Sequence, residues 1–305
     1  MKTASDLQLQ TNTAEAQNIG QRLGAAKDSH LRQVTKRFAR NRLAVCGLVV
    51  ILLLTIMAIF APQLAPQSPE RVTAYFSAPP SSEHWLGTDQ VGRDVLSRLI
   101  VASRVSLFVG FATVALYVTA GTLIGLISGY VGGWLDTVIM RITDMFMAFP
   151  FLMVILVIVS ALGASLHTII IVLALFSWPG VARLVRSSVL AVKQQDYVRA
   201  GTALGLGGRR ILFGHIFPNT LGPIIVNATF GVAGAILSEA GLSFLGMGVQ
   251  PPTPSWGNML SDAQSLTILT DQLWLWIPAG LMLLITVLSI NFVGDGLRDA
   301  LDPKE

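Results

Sequence analysis

The chain has 305 residues, of which 52% are apolar and only 12% charged, about half the charged share of an ordinary soluble domain; mean hydropathy is +0.64. So few charges cannot cover that much apolar surface in water, so the excess faces lipid. This excludes a soluble enzyme, a nucleic-acid-binding protein and a secreted disulfide scaffold, and turns the net charge of +4 into a topology signal to be read loop by loop.

Residues 1–30 are polar and lack a sustained apolar face, which predicts a mobile cytoplasmic tail. No cleaved leader is expected, because the first apolar run is too long and too late for a signal sequence. From Leu31 to Arg42, Leu31, Val34 and Phe38 share one helical face, and Arg32, Lys36, Arg37, Arg40 and Arg42 crowd the rest. This pattern fits a basic helix on an anionic membrane surface and a solvated charge run equally well. The first span is Leu43 to Ala61, nineteen residues without a charge, about 28 Å long as a helix and enough for the hydrocarbon core. Cys46 lies within it as the single cysteine, so no disulfide within the chain is possible. His30, His84, His167 and His215 are scattered, and no metal site is expected from their spacing.

A polar segment runs from Gln63 to about Arg104. Further spans are predicted over Val105–Gly129, Thr137–Ala161, Leu166–Leu184, Leu221–Leu245 and Leu273–Val293. Gly121, Gly125 and Gly129 recur every fourth residue, a spacing suited to a close helix contact. Pro150 and Pro179 can kink the third and fourth spans. Six spans put both termini on one side. On that side the loops and tails hold seventeen Lys and Arg against four (Arg71, Arg93, Arg98, Arg104) on the other, so the positive-inside rule predicts cytoplasmic termini.

The cytoplasmic segment after the fourth span carries a specific pattern. Asp196 suits an N-cap, Val198 to Leu204 a short helix, and Gly205, Gly207 and Gly208 a sharp turn. Arg209 to Phe217 suits a second short helix stopped at Pro218. Two crossed helices make a rigid docking knob; the alternative is a connecting loop, and the pattern leaves both open. Charges at membrane depth call for a role. Arg141 and Asp144 lie three apart and can pair, as a gate brace or on the transport path. Glu239, with Ser238 and Ser243 near it, is expected toward the outer end as a brace of the outer gate or a partner for a peptide amine, or else as a hydrogen-bonded structural Glu.

The knob resembles the EAA loop of ABC-transporter permeases: Ala200, Gly205, Phe217 and Pro218 fall on its frame, Gly201 replaces the second Ala, and Arg199 stands where the family has Glu. Further blocks, His84 to Ile100, Arg141 to Asp144 with Ala148-Phe-Pro150, Trp178 to Arg186, Leu242 to Leu260 and Gly294 to Pro303, occur in the order found in C-type permeases of the dipeptide/oligopeptide/nickel importers. The resemblance covers about Arg40 to Pro303 and implies an all-α type I ABC importer fold of six spans in a bacterial or archaeal cytoplasmic membrane. It divides the chain into a tail (1–30), a basic helix with first span and outer segment (31–104), a transmembrane core (105–297) with a coupling loop (196–218), and a second tail (298–305).

The resemblance further implies a non-enzymatic subunit working with a second, B-type permease chain, two cytoplasmic ATPases and an extracytoplasmic substrate-binding protein. The ATPases would bind ATP and Mg; none of the five lysines here sits in the Gly-Lys-Ser/Thr context of a phosphate-binding loop. Tyr197, Ala200, Gly201, Leu204, Gly205, Leu206, Phe217 and Pro218 would meet an ATPase. In the outer segment, Thr88 or Asp89 would cap a helix carrying Val91, Val95, Leu96, Leu99 and Ile100 along the outer interface. Asp89, Arg93, Asp94 and Arg98 would contact the binding protein, or the helix only braces the second span. Peptides are the expected cargo, with nickel chelates or glutathione-like peptides as alternatives. A secondary carrier or channel, the rival class, would want ionisable groups near the midplane and an internal repeat; only Glu239 comes near this.

Overall fold

The computed structural model describes residues 32–301; the tail expected over 1–30 and residues 302–305 lie outside them. Helix α1 covers residues 32–40, with Val34 and Phe38 half-buried and Arg32, Lys36 and Arg40 exposed. Asn41 then caps α2 (Arg42–Ile59) by accepting from the Ala44 N–H at 3.2 Å. Most of α2 is exposed, including Leu48, Leu52, Leu53 and Ile56, as a lipid-facing span requires. It stops two residues before the predicted end. Pro62 falls in the first turn of a separate short helix, α3 (Ala61–Leu64), where its missing N–H costs nothing.

The second span departs most from expectation. Helix α4 runs from Val95 to Val131, 37 residues, about 56 Å, against about 30 Å of hydrocarbon. One end therefore stands clear of the bilayer. Its C-terminal half lies against α7 (Leu166–Lys193) through the predicted glycine row. A Cβ on Gly121 would lie 2.7 Å from the Trp178 carbonyl, on Gly125 2.5 Å from that of Ala182, and on Gly129 2.9 Å from Val189 Cβ. Any larger residue would wedge the two helices apart.

The third span is broken. Helix α5 (Gly133–Met147) and α6 (Phe151–Leu162) meet at 80°, with Pro150 at the N-cap of α6, as the proline predicted. Pro179, in contrast, lies inside α7 without ending it. After α7 come α8 (Asp196–Ala203), α9 (Gly208–Ile211), a π turn (Leu212–Ile216) and α10 (Phe217–Phe244). The segment 245–276 folds over the bundle and contains α11 (Trp256–Leu260) and α12 (Leu266–Asp271); α13 (Ile277–Leu301) closes the chain.

By length and composition five stretches can each cross a membrane, and the bent α5–α6 pair makes a sixth. Among the described residues there is no strand, only an isolated bridge between Thr88 and Asp94. The main core is built by α4, α7, α10 and α13, with α2 at the edge. A smaller core gathers Ile155 and Val159 of α6 with Val109, Ile169, Leu173 and Leu242. One end of the bundle carries α1, the α4–α5 turn and α8–α9; we call it the basic end. The other, the far end, carries residues 62–94 and 245–276.

Candidate functional site

At the basic end, α8, the following turn and α9 form the knob. Val198, Ile211 and Ile216 are buried and seat it on the bundle. Gly205 has φ +78°, a conformation that costs a residue with a Cβ about 1–2 kcal/mol. The turn closes through Gly205 N–H to Thr202 O at 3.0 Å and Leu206 N–H to Gly201 O at 3.1 Å. Leu204 stands at the tip, 84% exposed. Tyr197 and Ala200 are exposed as well; Gly201 and Leu206 are half-buried and touch, since a Cβ on Gly201 would lie 3.1 Å from Leu206 Cδ1. A bolt holds this unit to the spans. The Tyr130 hydroxyl, near the end of α4, donates to Gly208 O at 3.1 Å, and Lys193 Nζ, ending α7, donates to Tyr130 O at 2.8 Å.

Two sequence expectations need correction here. Asp196 is the first residue of α8, not its cap; that place belongs to Gln195. Pro218 does not stop the second helix. Phe217 N–H reaches back five residues to Leu212 O, and this π turn carries the helix past Pro218, which sits in the first turn of α10. Phe217 is half-buried and Pro218 exposed. The knob is thereby continuous with the fifth span.

At the far end, Asp94 caps α4: its Oδ2 accepts from Ser97 N–H at 2.8 Å and Ser97 Oγ at 2.6 Å, and its Oδ1 lies 2.9 Å from His84 Nδ1. The expected cap at Thr88 or Asp89 is wrong. Asp89 spends one oxygen on the N–H groups of Val91 and Arg93, both at 2.9 Å, and the other on Arg93 Nε at 2.7 Å. Gly92 then turns at φ +83°, so no helix begins before Val95. Val91 stays off the helix, which runs straight into the second span instead of lying along an interface. Asp89, Asp94 and Arg98 are buried. Arg98 pairs with Asp89 at 3.4 Å and donates to Pro252 O at 3.5 Å; Gln90 donates to Asp262 at 3.2 Å. These bonds tie residues 62–94 to the segment 245–276.

That second segment is anchored by residues the sequence did not single out for a role. Trp256 is fully buried; its indole N–H donates to Leu99 O at 3.2 Å and its backbone N–H to Ser106 Oγ at 3.1 Å. Ser255 caps α11 in a capping box with Asn258. Its hydroxyl also donates to Glu239 Oε1 at 2.8 Å, beside that of Ser243 at 2.6 Å. Glu239 is 0% exposed. Ser238 does not take part; it donates to its own helix at Gly234 O. A Ser at an N-cap, followed three residues on by Asn, was the one available signal for this anchor.

The expected Arg141–Asp144 pair does not form. Asp144 pairs with Arg183 of α7 at 2.6 Å, because α7 runs antiparallel beside α5, while Arg141 is exposed and has no ion-pair partner among the described residues. A second rung lies nearer the basic end. Arg186 donates to both oxygens of Asp136, at 2.6 and 2.5 Å, and Ser128 of α4 also bonds Asp136. This bidentate pair joins α4, α5 and α7.

A bundle of apolar spans, broken once and carrying a polar knob, is a multi-pass helical membrane protein. Its fold is similar to that of a chain in inward-facing MetNI methionine ABC transporter (TM-score 0.57, 17% identity, 67% of this chain and 96% of that one), the transmembrane fold of type I ABC importers. A family profile described as the binding-protein-dependent transport system inner membrane component matches residues 121–305, and one described as the N-terminal TM domain of oligopeptide transport permease C matches residues 29–80. The chain belongs to this family of ABC transporter permeases. The dipeptide transport system permease protein DppC of Alkalihalophilus pseudofirmus is 43% identical over 274 residues, 90% of each chain. The oligopeptide transport system permease protein OppC of Bacillus subtilis is 44% identical over 297 residues, 96% of this chain and 94% of its own. The glutathione transport system permease protein GsiD of Pectobacterium atrosepticum is 39% identical, covering 90% and 91%.

Proposed function

We propose that this chain is one of two permease chains of an ATP-driven peptide importer, set in the bacterial cytoplasmic membrane with its basic end inside. Two separate ATPases receive the knobs, and ATP and Mg are bound there. The observation that carries this reading is the knob itself. A rigid turn presents Leu204 almost wholly exposed, bolted through Tyr130 to two spans and continuous with a third. A force on Leu204 therefore reaches α4, α7 and α10 together. Arg199, exposed on α8, faces the same partner with the charge reversed from the family pattern.

The far-end cap is the face for a substrate-binding protein. With Asp89, Asp94 and Arg98 buried, their role in this reading is to hold the cap, and the exposed Trp85, Tyr75 and Phe76 supply the contact. Arg93 stays at its rim. Glu239 and the Asp144–Arg183 pair brace the gates at the two ends, and Arg141 faces the second permease. Peptide cargo rests on the relatives' names, glutathione included.

The test is copurification and transport. The tagged chain is expected to bring down a second permease and ATPases, and the assembly in vesicles to import peptides when given ATP and a loaded binding protein. Leu204→Asp should abolish uptake while the chain still inserts. A stable homomer that transports without ATP would establish the carrier reading instead.

A further inference from the structure

Between α4, α6, α7 and α10 lies a cavity of about 210 Å³ that none of these roles uses. Its wall is formed by Thr113 and Tyr117 of α4, Ser177 of α7, Gly234 and Ser238 of α10, and Phe151 at the start of α6. Thr113 is the central residue of the 37-residue α4. No residue lining it is charged.

Its polar groups are incompletely used. Thr113 is 1% exposed, and its Oγ1 has no hydrogen-bond partner, a condition that costs about 1–3 kcal/mol when a buried hydroxyl is left unmatched. Ser177 and Ser238 donate to Leu173 O and Gly234 O, which leaves lone pairs on both oxygens. No side chain caps α6, so the N–H of Phe151, the one α6 residue lining the cavity, has no carbonyl within the helix. The wall thus offers acceptors on α7 and α10, one donor at the start of α6, and the Thr113 and Tyr117 hydroxyls on α4. A lipid chain would leave all of these unmatched. An extended peptide main chain presents one donor and one acceptor per residue and matches them. A charged peptide side chain finds no counter-ion here, so the wall reads backbone and not sequence. The volume is well below the roughly 300–1,000 Å³ of a pocket for a whole drug-sized ligand and suits a short segment.

We propose that this cavity is a binding site for the main chain of the translocated peptide, made by Thr113, Tyr117, Ser177, Ser238 and the uncapped start of α6. It rests on the peptide-permease reading above.

The experiment uses the assembled importer in vesicles, with its ATPases, second permease and binding protein. Gly234→Leu adds bulk to the cavity wall at a position where no atom lies within 4 Å of a Cβ. Peptide uptake should fall about tenfold while loaded binding protein still stimulates ATP hydrolysis. Gly241→Leu, on the same helix, equally open and outside the cavity, should import normally. Thr113→Val should raise the half-saturating peptide concentration several-fold, and Thr113→Ser should restore it. Unchanged uptake by Gly234→Leu, or an equal loss in Gly241→Leu, overturns the site alone. Should Gly234→Leu not assemble, the Thr113 pair decides, and equal uptake by Val and Ser overturns the proposal. Wild-type vesicles that hydrolyse ATP but import no peptide overturn the parent reading and this site with it.

Discussion

Glu239 and Asp144 both bring a carboxyl group into an apolar bundle, and their settings differ. Glu239 is sealed and takes two serine hydroxyls; Asp144 is half-exposed with Arg183, where water or a partner chain can reach it. Glu239→Ala removes the shared acceptor and leaves both hydroxyls buried, at about 1–3 kcal/mol each; Glu239→Gln keeps an acceptor oxygen. In detergent, the Ala variant should unfold well below wild type and the Gln variant close to it. Asp262 gives a pH prediction. Burial, with the nearby Asp89 carboxylate, holds its carboxyl above the usual range. Its proton is bound more tightly folded than unfolded, so its contribution to stability is full in acid and is lost as pH rises through the raised value. Asp262→Asn should raise the neutral-pH Tm and flatten the slope just above the ordinary carboxylate range, while Gln90 keeps its bond to an Oδ1. At this scale the sequence was legible where neighbours are local. That a structural Glu239 would bond Ser243 could be read from a spacing of four. Asp144 was misassigned because its true partner is 39 residues away and Arg141 only three.

At the scale of elements, periodicity carried most of the fold. All six apolar runs were legible, and the row Gly121, Gly125, Gly129 was read correctly as a helix contact. Gly125→Leu should separate α4 from α7 and lose folded protein, whereas Gly180→Ala, with nothing within 4 Å, should be silent; yield of monodisperse protein separates them. Element ends were harder. Asp89 and Asp94 are both good caps, and only the turn at Gly92 decides between them. Pro218 signals a stop, and no residue pattern announces a π turn. Gly205 offers a graded test of the knob. Its Cβ would meet nothing, so backbone strain is the main effect of a neutral substitution. Gly205→Asn, which tolerates positive φ, should keep more transport than Gly205→Val, and Gly205→Asp should abolish coupling through charge at the tip. Uptake measured at equal membrane abundance ranks the three.

For the whole molecule, the charge distribution predicts the basic end inside, and thiol labelling tests it. In a Cys46→Ala background, Trp85→Cys should react with a membrane-impermeant thiol reagent in spheroplasts. Leu204→Cys should react only after permeabilisation. The reverse pattern would invert the molecule and detach the knob from its ATPase. Long-range assembly was the part the sequence hid. Nothing local reveals that residues 245–276 fold back over the far end, because the seats of Trp256 are made by α4.

Trp256 has a consequence for biogenesis. Its indole is held by Leu99, 157 residues earlier in the chain, and its backbone by Ser106, 150 residues earlier. While the ribosome works through α5 to α10, that site on α4 stays vacant, and the far end has no plug. Contacts of such sequence separation form late. The last sixth or so of translation is therefore when the nascent chain stops being an open sheaf of helices, and chains cut short before Trp256 should be degraded faster than the full chain.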